Sequence, residues 1–206
     1  MKALATDHYP ELTEFEFPWK FYVVDNFLEV SIFNFLCQLK DDQSYYNFLD
    51  GLDTKTNTGI NDPKLITPDS AIKKSIKIGS KRILDSIDLS LRKHIGHMLS
   101  AVHYKTTELV SCDPGYVYGR HKDNENKKIS IVVFLWPQMS HGTIVYDKDD
   151  YQFMVQWKQN RAFIFQQETH GFHNYFNKTM YPRVTLNIYI GDRPNINYSI
   201  MINKTT

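Results

Sequence analysis

Two residues near the middle of the chain could share one metal ion. His121 and Asp123 are separated by a single residue within GYVYGRHKDNENKK. On an extended backbone, residues two apart project to the same face, so an imidazole and a carboxylate at this spacing can converge. The pair alone carries little weight, because 8 histidines and 23 acidic residues in a chain of 206 make about one such coincidence expected. The order of the downstream segments adds the weight: a strand-rich interval, then HGFH at 170–173, then Arg183 at the head of RVTLNIYI. Two imidazoles and one carboxylate on one face of a metal leave three positions open, an arrangement suited to Fe(II), O2 and a bidentate cosubstrate. His170 and His173 both compete to be the second imidazole. His94, His97, His103 and His141 are scattered and read as surface or satisfied core groups.

These residues must be held by strands. After Tyr104 the sequence becomes a series of short β-branched and aromatic runs, TTELVSC, KISIVVFLW, TIVYD, YQFMVQW, RAFIF and RVTLNIYI, separated by Pro, Gly, Asn and Asp. In the last run Arg183, Thr185, Asn187 and Tyr189 face one way, and Val184, Leu186, Ile188 and Ile190 the other. Apolar packing behind would aim Arg183 and Thr185 inward. Upstream, KFYVVD at 20–25 reads as a strand leading into a helix with Ile32, Phe33, Phe35, Leu36 and Leu39 at helical spacing. The stretch 70–103 reads as helical, with Ile83, Leu84, Ile87, Leu91 and Ile95 on one stripe that should pack on a sheet. Residues 1–17 read as a flexible arm and 18–206 as a single domain. The polar stretch 41–68, broken by Gly51, Gly59 and Pro63, reads as a lid over the site. Helices first and many strands afterwards predict an α+β domain built on an antiparallel sandwich or barrel.

Composition narrows the classes. Hydrophobic residues make up 42% of the chain, with 13 Tyr and 13 Phe, enough for a sizeable core rich in sheet. A formal charge of +1 gives no field that would draw the chain onto nucleic acid or an anionic membrane. Cys37 and Cys112 are the two cysteines, too few for a disulfide framework, so a reducing compartment is expected. No signal peptide or membrane span is read, which makes a soluble, cytoplasmic protein the expectation.

Taken in order, the segments FYVVDNFL, DPGYVYGRHKD, ISIVVFLW, GTIVYD, NRAFIF and RVT resemble the 2-oxoglutarate- and Fe(II)-dependent oxygenases, particularly their prolyl-4-hydroxylase-like branch. The likeness runs from about Phe21 to Asp192 and is most specific between Cys112 and Tyr189. It implies a double-stranded β-helix, a jelly-roll or cupin-like barrel with N-terminal helices packed on the major sheet. It implies His121, Asp123 and His173 as iron ligands, His173 being preferred over His170 for its distance from Arg183. It also implies Arg183 and Thr185 as contacts to the distal carboxylate of 2-oxoglutarate, and Tyr118 as a contact near that pocket. The implied activity is O2-dependent hydroxylation with Fe(II), 2-oxoglutarate as cosubstrate and ascorbate as a supporting reductant. The substrate class is a small molecule or peptide, with peptidyl proline as the branch's own chemistry and the loops 41–68 and 124–128 as its contacts. Two departures stand out: Cys112 where the branch often has tyrosine, and Leu135–Trp136 where many relatives have Leu-Asn.

Two other readings use the same residues. One is a barrel that has lost turnover and serves as a binding module, against which the intact triad and arginine argue. The other is a cupin-type metal hydrolase or isomerase, which would have no use for Arg183 and Thr185.

Overall fold

The computed structural model describes residues 12–38, 71, 73–99, 104–167 and 171–191. Their strands form two antiparallel sheets. The larger has seven strands in the spatial order β1 (Thr13–Phe15), β2 (Phe21–Val24), β9 (Ala162–Gln166), β6 (Ile129–Trp136), β11 (Arg183–Gly191), β4 (Tyr104–Cys112) and β3 (Lys73–Lys77). The smaller has four, in the order β5 (Val117–His121), β10 (Phe172–Phe176), β7 (Thr143–Tyr146) and β8 (Gln152–Val155). Two helices, α1 (Val30–Gln38) and α2 (Lys81–Ile95), complete the principal elements among the described residues.

Alternation along the central strands sorts side chains into two cores. Ile131, Val133 and Leu135 of β6 and Leu186 and Ile188 of β11 pack against Ile83, Ile87, Leu91 and Ile95 of α2 and Ile32 and Leu36 of α1. Fully burying an aliphatic side chain of this kind contributes about 1.5–3 kcal/mol, so the helical stripe holds α2 to the sheet. Side chains of opposite parity on the larger sheet, Phe134, Phe163, Phe165 and Phe21, meet Val145 and Val155 of the smaller sheet with Trp19 to form an aromatic layer between the sheets. The antiparallel sheets with few helices agree with the α+β expectation.

Local features fix how the sheets close. At Gly142 an added Cβ would sit 1.7 Å from the Val155 carbonyl oxygen, so only glycine lets β7 start this close to the end of β8. Asn160 adopts a positive φ of 58° and clamps the start of α1, accepting from the Leu28 amide and donating to the Leu28 carbonyl, both at 2.8 Å. At the rim, Asp25 accepts from Arg161 Nε at 2.6 Å and Nη2 at 3.0 Å. His94, buried on α2 beside Phe27, has its pKa pulled down to about 4, chiefly by burial.

The structure differs from the sequence reading in two places. Within the segment 1–17 expected as an arm, Thr13–Phe15 pair with β2 as an edge strand. Within the stretch 70–103 expected as helical, Lys73–Lys77 form β3, pairing with β4. KKSIK lacks an apolar alternation, and lysines at a sheet edge leave no pattern that announces a strand. The lid expected at 41–68 lies outside the described residues, as does His170. No helix among the described residues is long and apolar enough to cross a membrane.

Candidate metal and cosubstrate site

Strands of both sheets converge on a cavity of about 160 Å³. From the smaller sheet, β5 ends at His121 and β10 carries His173, and the two residues are direct cross-strand partners. Their ring centroids lie 4.3 Å apart. Asp123 lies just beyond β5 in the connection to β6. Among the described residues, His121, Asp123 and His173 are the one cluster able to hold a metal, with a ligand atom from each lying within 4.8 Å of the others.

The surroundings prepare these three groups to act as donors. His121 Nδ1 lies 2.8 Å from the Gly119 carbonyl and His173 Nδ1 3.3 Å from the Gly171 carbonyl. A proton on each Nδ1 donates to its carbonyl and leaves each Nε2 lone pair free, the neutral form a metal requires. Electrostatics favour that form. Burial, with His173 nearby, brings the His121 pKa down to about 3, and burial lowers that of His173 as well. Burial would raise Asp123, but Lys127, His173 and the Ser130 hydrogen bond outweigh it and hold the carboxyl at about 2. Lys127 Nζ donates to Asp123 Oδ1 at 3.0 Å, and Ser130 Oγ donates to Oδ2.

Arg183 opens β11 on the same cavity. It is 1% exposed, and its Nε and Nη2 have no hydrogen-bond partner. Its guanidinium carbon sits 4.3 Å from the centre of the Tyr175 ring, 5.1 Å from that of Trp157 and 5.6 Å from that of Phe134. Aromatic faces attract the cation without meeting its donors. A buried guanidinium with partnerless N–H groups, beside a cluster of metal donors, calls for an anion that reaches both.

Thr185, Asn187 and Tyr189 continue along β11 on the cavity side, as their alternation predicted. The Thr185 hydroxyl donates to Asn187 Oδ1 at 2.9 Å, and Asn187 Nδ2 donates to the Tyr189 hydroxyl oxygen at 3.0 Å. Tyr118 stacks on Tyr175 at 5.3 Å and stands edge-on to His121 at 4.2 Å, joining the arginine end to the histidine end. Cys112, a departure from the resembled branch, is fully buried with Sγ 3.5 Å from the Tyr175 hydroxyl.

All six residues singled out from the sequence therefore line one cavity. Sequence reasoning missed Lys73, Glu108, Lys127, Ser130 and Tyr175. The strand alternation that placed Asn187 and Tyr189 could also have placed Tyr175, two residues beyond His173. Lys73 and Glu108 come to the cavity only through strand pairing, and Lys127 and Ser130 meet Asp123 through the turn before β6.

No family model matches the sequence, and no curated protein does. Solved structures match on fold. A prolyl-4-hydroxylase from Pseudomonas putida superposes with a TM-score of 0.54 at 14% identity, covering 84% of this chain and 93% of that one. A prolyl hydroxylase from Trichoplax adhaerens, in complex with a hypoxia inducible factor oxygen degradation domain peptide fragment, gives 0.56 at 13%, covering 90% and 87%. A viral collagen prolyl hydroxylase from Paramecium Bursaria Chlorella virus-1, in complex with 2OG, gives 0.56 at 11%, covering 82% and 94%. At such identities the likeness is one of fold.

Proposed function

We propose that this chain is an Fe(II)- and 2-oxoglutarate-dependent oxygenase built on a double-stranded β-helix. The observation that carries the reading is the pairing, in one cavity, of a His-Asp-His donor cluster with a buried arginine whose Nε and Nη2 lack partners. Donor type and number fit Fe(II): two neutral imidazoles and one carboxylate leave positions for a bidentate ligand and O2. When bound, Fe(II) supplies the O2 chemistry that couples oxidation of 2-oxoglutarate to succinate and CO2 with hydroxylation of a substrate C–H bond.

This chain's residues provide grip, orientation and exclusion of water. His121, Asp123 and His173 hold the metal, and the Gly119 and Gly171 carbonyls keep each imidazole proton on Nδ1. Lys127 and Ser130 fix the Asp123 carboxylate. Arg183 takes the distal carboxylate of 2-oxoglutarate through charge-assisted hydrogen bonds. Thr185 adds its hydroxyl to that end of the site, and Tyr118, stacked on Tyr175, walls it from water. A cupin-type hydrolase would need the metal donors but not a buried, partnerless arginine.

The substrate reading is a prolyl residue in a peptide, supported by the prolyl hydroxylases that share the fold and by the peptide held in one of them. We place the reaction in the cytoplasm. Conversion of 2-oxoglutarate to succinate by purified protein with Fe(II), ascorbate and O2 tests the activity. Its stimulation across proline-containing peptides, free amino acids and nucleotides sorts the substrate; stimulation by nucleotides alone would remove the peptide reading.

A further inference from the structure

Besides Arg183, and Lys127 paired with Asp123, the cavity holds a further cation that no motif announced, Lys73. Lys73 on β3 pairs with Cys112 on β4, and Cys112 pairs with Arg183 on β11, so the two cations occupy one row across three strands. The Lys73 ammonium stands 4.4 Å from the centre of the Tyr118 ring, which is itself edge-on to His121. Lys73 lines the same cavity as His121, Asp123, His173 and Arg183.

Among the described residues, no carboxylate forms an ion pair with Lys73. Burial lowers the Lys73 pKa, and the titratable groups facing it are Cys112, Lys127, Glu108 and Asp123. Of the two carboxylates, Asp123 is held by Lys127 and Ser130. Glu108 keeps one buried oxygen with no hydrogen bond. A cation in a largely desolvated cavity is stabilised by an anion brought to it. 2-Oxoglutarate carries two negative charges, and Arg183 matches one of them.

We propose that Lys73 is a second anchor for the cosubstrate, its ammonium lying beside the bound dicarboxylate while Arg183 holds the distal end. This rests on the oxygenase reading and extends it to a residue from the edge strand of the larger sheet. The rival role is structural: Lys73 would balance the charge of Glu108 and contribute nothing to the ligand.

Anaerobic calorimetric titration of Fe(II)-loaded full-length protein with 2-oxoglutarate separates the two. The variants are Lys73→Met, Lys73→Gln, Lys73→Arg and Arg183→Lys, each with its iron content and melting temperature measured. A charge-assisted contact predicts that Lys73→Met and Lys73→Gln weaken 2-oxoglutarate binding roughly tenfold or more with iron content unchanged, and that Lys73→Arg restores most of it. Affinity within twofold of wild type in both neutral variants overturns the proposal, and a lowered melting temperature alongside it assigns Lys73 to Glu108. If those variants bind normally while Arg183→Lys is weakened, the anchor is lost and the oxygenase reading stands. If wild-type protein takes up no 2-oxoglutarate, that reading fails and the anchor fails with it.

Discussion

Replacing Arg183 with Met should remove almost all of the stabilisation that 2-oxoglutarate confers on the protein. The side chain is 1% exposed and offers two N–H groups, Nε and Nη2, that meet no protein acceptor. Hydrogen bonds to charged groups are worth about 1.5–3 kcal/mol each, so losing two costs roughly 3–6 kcal/mol, or about 10²–10⁴ in Kd. A ligand at about 100 times its Kd stabilises the native state by about 2.7 kcal/mol. For a chain of this length that raises Tm by roughly 5–10 °C. At the same ligand concentration the variant would be at or below its Kd and gain at most about 0.4 kcal/mol, a shift of roughly 1–2 °C. Methionine keeps an apolar stem against the Tyr175 and Phe134 rings, so the fold should persist. Thermal melts of Mn(II)-loaded wild type and Arg183→Met, with and without 2-oxoglutarate, supply the comparison. An equal ligand-induced shift in both would refute the assignment of Arg183 as the carboxylate anchor.

Three further perturbations probe the metal, the frame and the response to acid. His121→Ala, Asp123→Ala and His173→Ala should each abolish stoichiometric Fe(II) uptake with the circular dichroism spectrum preserved; iron retained by His173→Ala but lost in His170→Ala would move the ligand to His170. Asn160→Ala removes two buried hydrogen bonds to Leu28 and places alanine at a positive φ, so the denaturation midpoint should fall by an amount equal to roughly 2–4 kcal/mol; a loss below about 0.5 kcal/mol would contradict the clamp. The folded-state pKa of His94, about 4, lies below its ordinary 6.5, so the unfolded chain binds the proton first and stability falls as pH drops from 6.5 towards 4. Urea unfolding of His94→Phe should show a shallower decline over that window than wild type, and identical slopes would remove His94 as a contributor.

How far the site was legible depended on whether neighbours in space were also neighbours on one strand. The alternation of RVTLNIYI sorted β11 into a helix-packed face and a cavity face, because period-two geometry is local. The H-x-D spacing and the order of the later segments brought His121, Asp123, His173 and Arg183 into one hypothesis. What remained hidden arises from strand pairing, turns and packing. Lys73 reaches the cavity only because β3 adds to the edge of β4, and KKSIK has no apolar period to reveal that strand. Ser130 and Lys127 look like ordinary polar residues until the turn before β6 folds them onto Asp123. The partnerless state of Arg183 is likewise a property of the packed interior, set by the Tyr175, Trp157 and Phe134 rings from three separate segments.

If the His-Asp-His cluster and Arg183 serve one reaction, the protein forms succinate from 2-oxoglutarate. Purified protein reconstituted with Fe(II) is given ascorbate, O2 and isotopically labelled 2-oxoglutarate, and labelled succinate is quantified beside the Asp123→Ala and Arg183→Met variants. Wild type should form succinate, slowly without substrate, and both variants should stay at the protein-free background. Wild-type protein that holds stoichiometric iron yet forms no more succinate than Asp123→Ala, with every substrate class supplied, would contradict it.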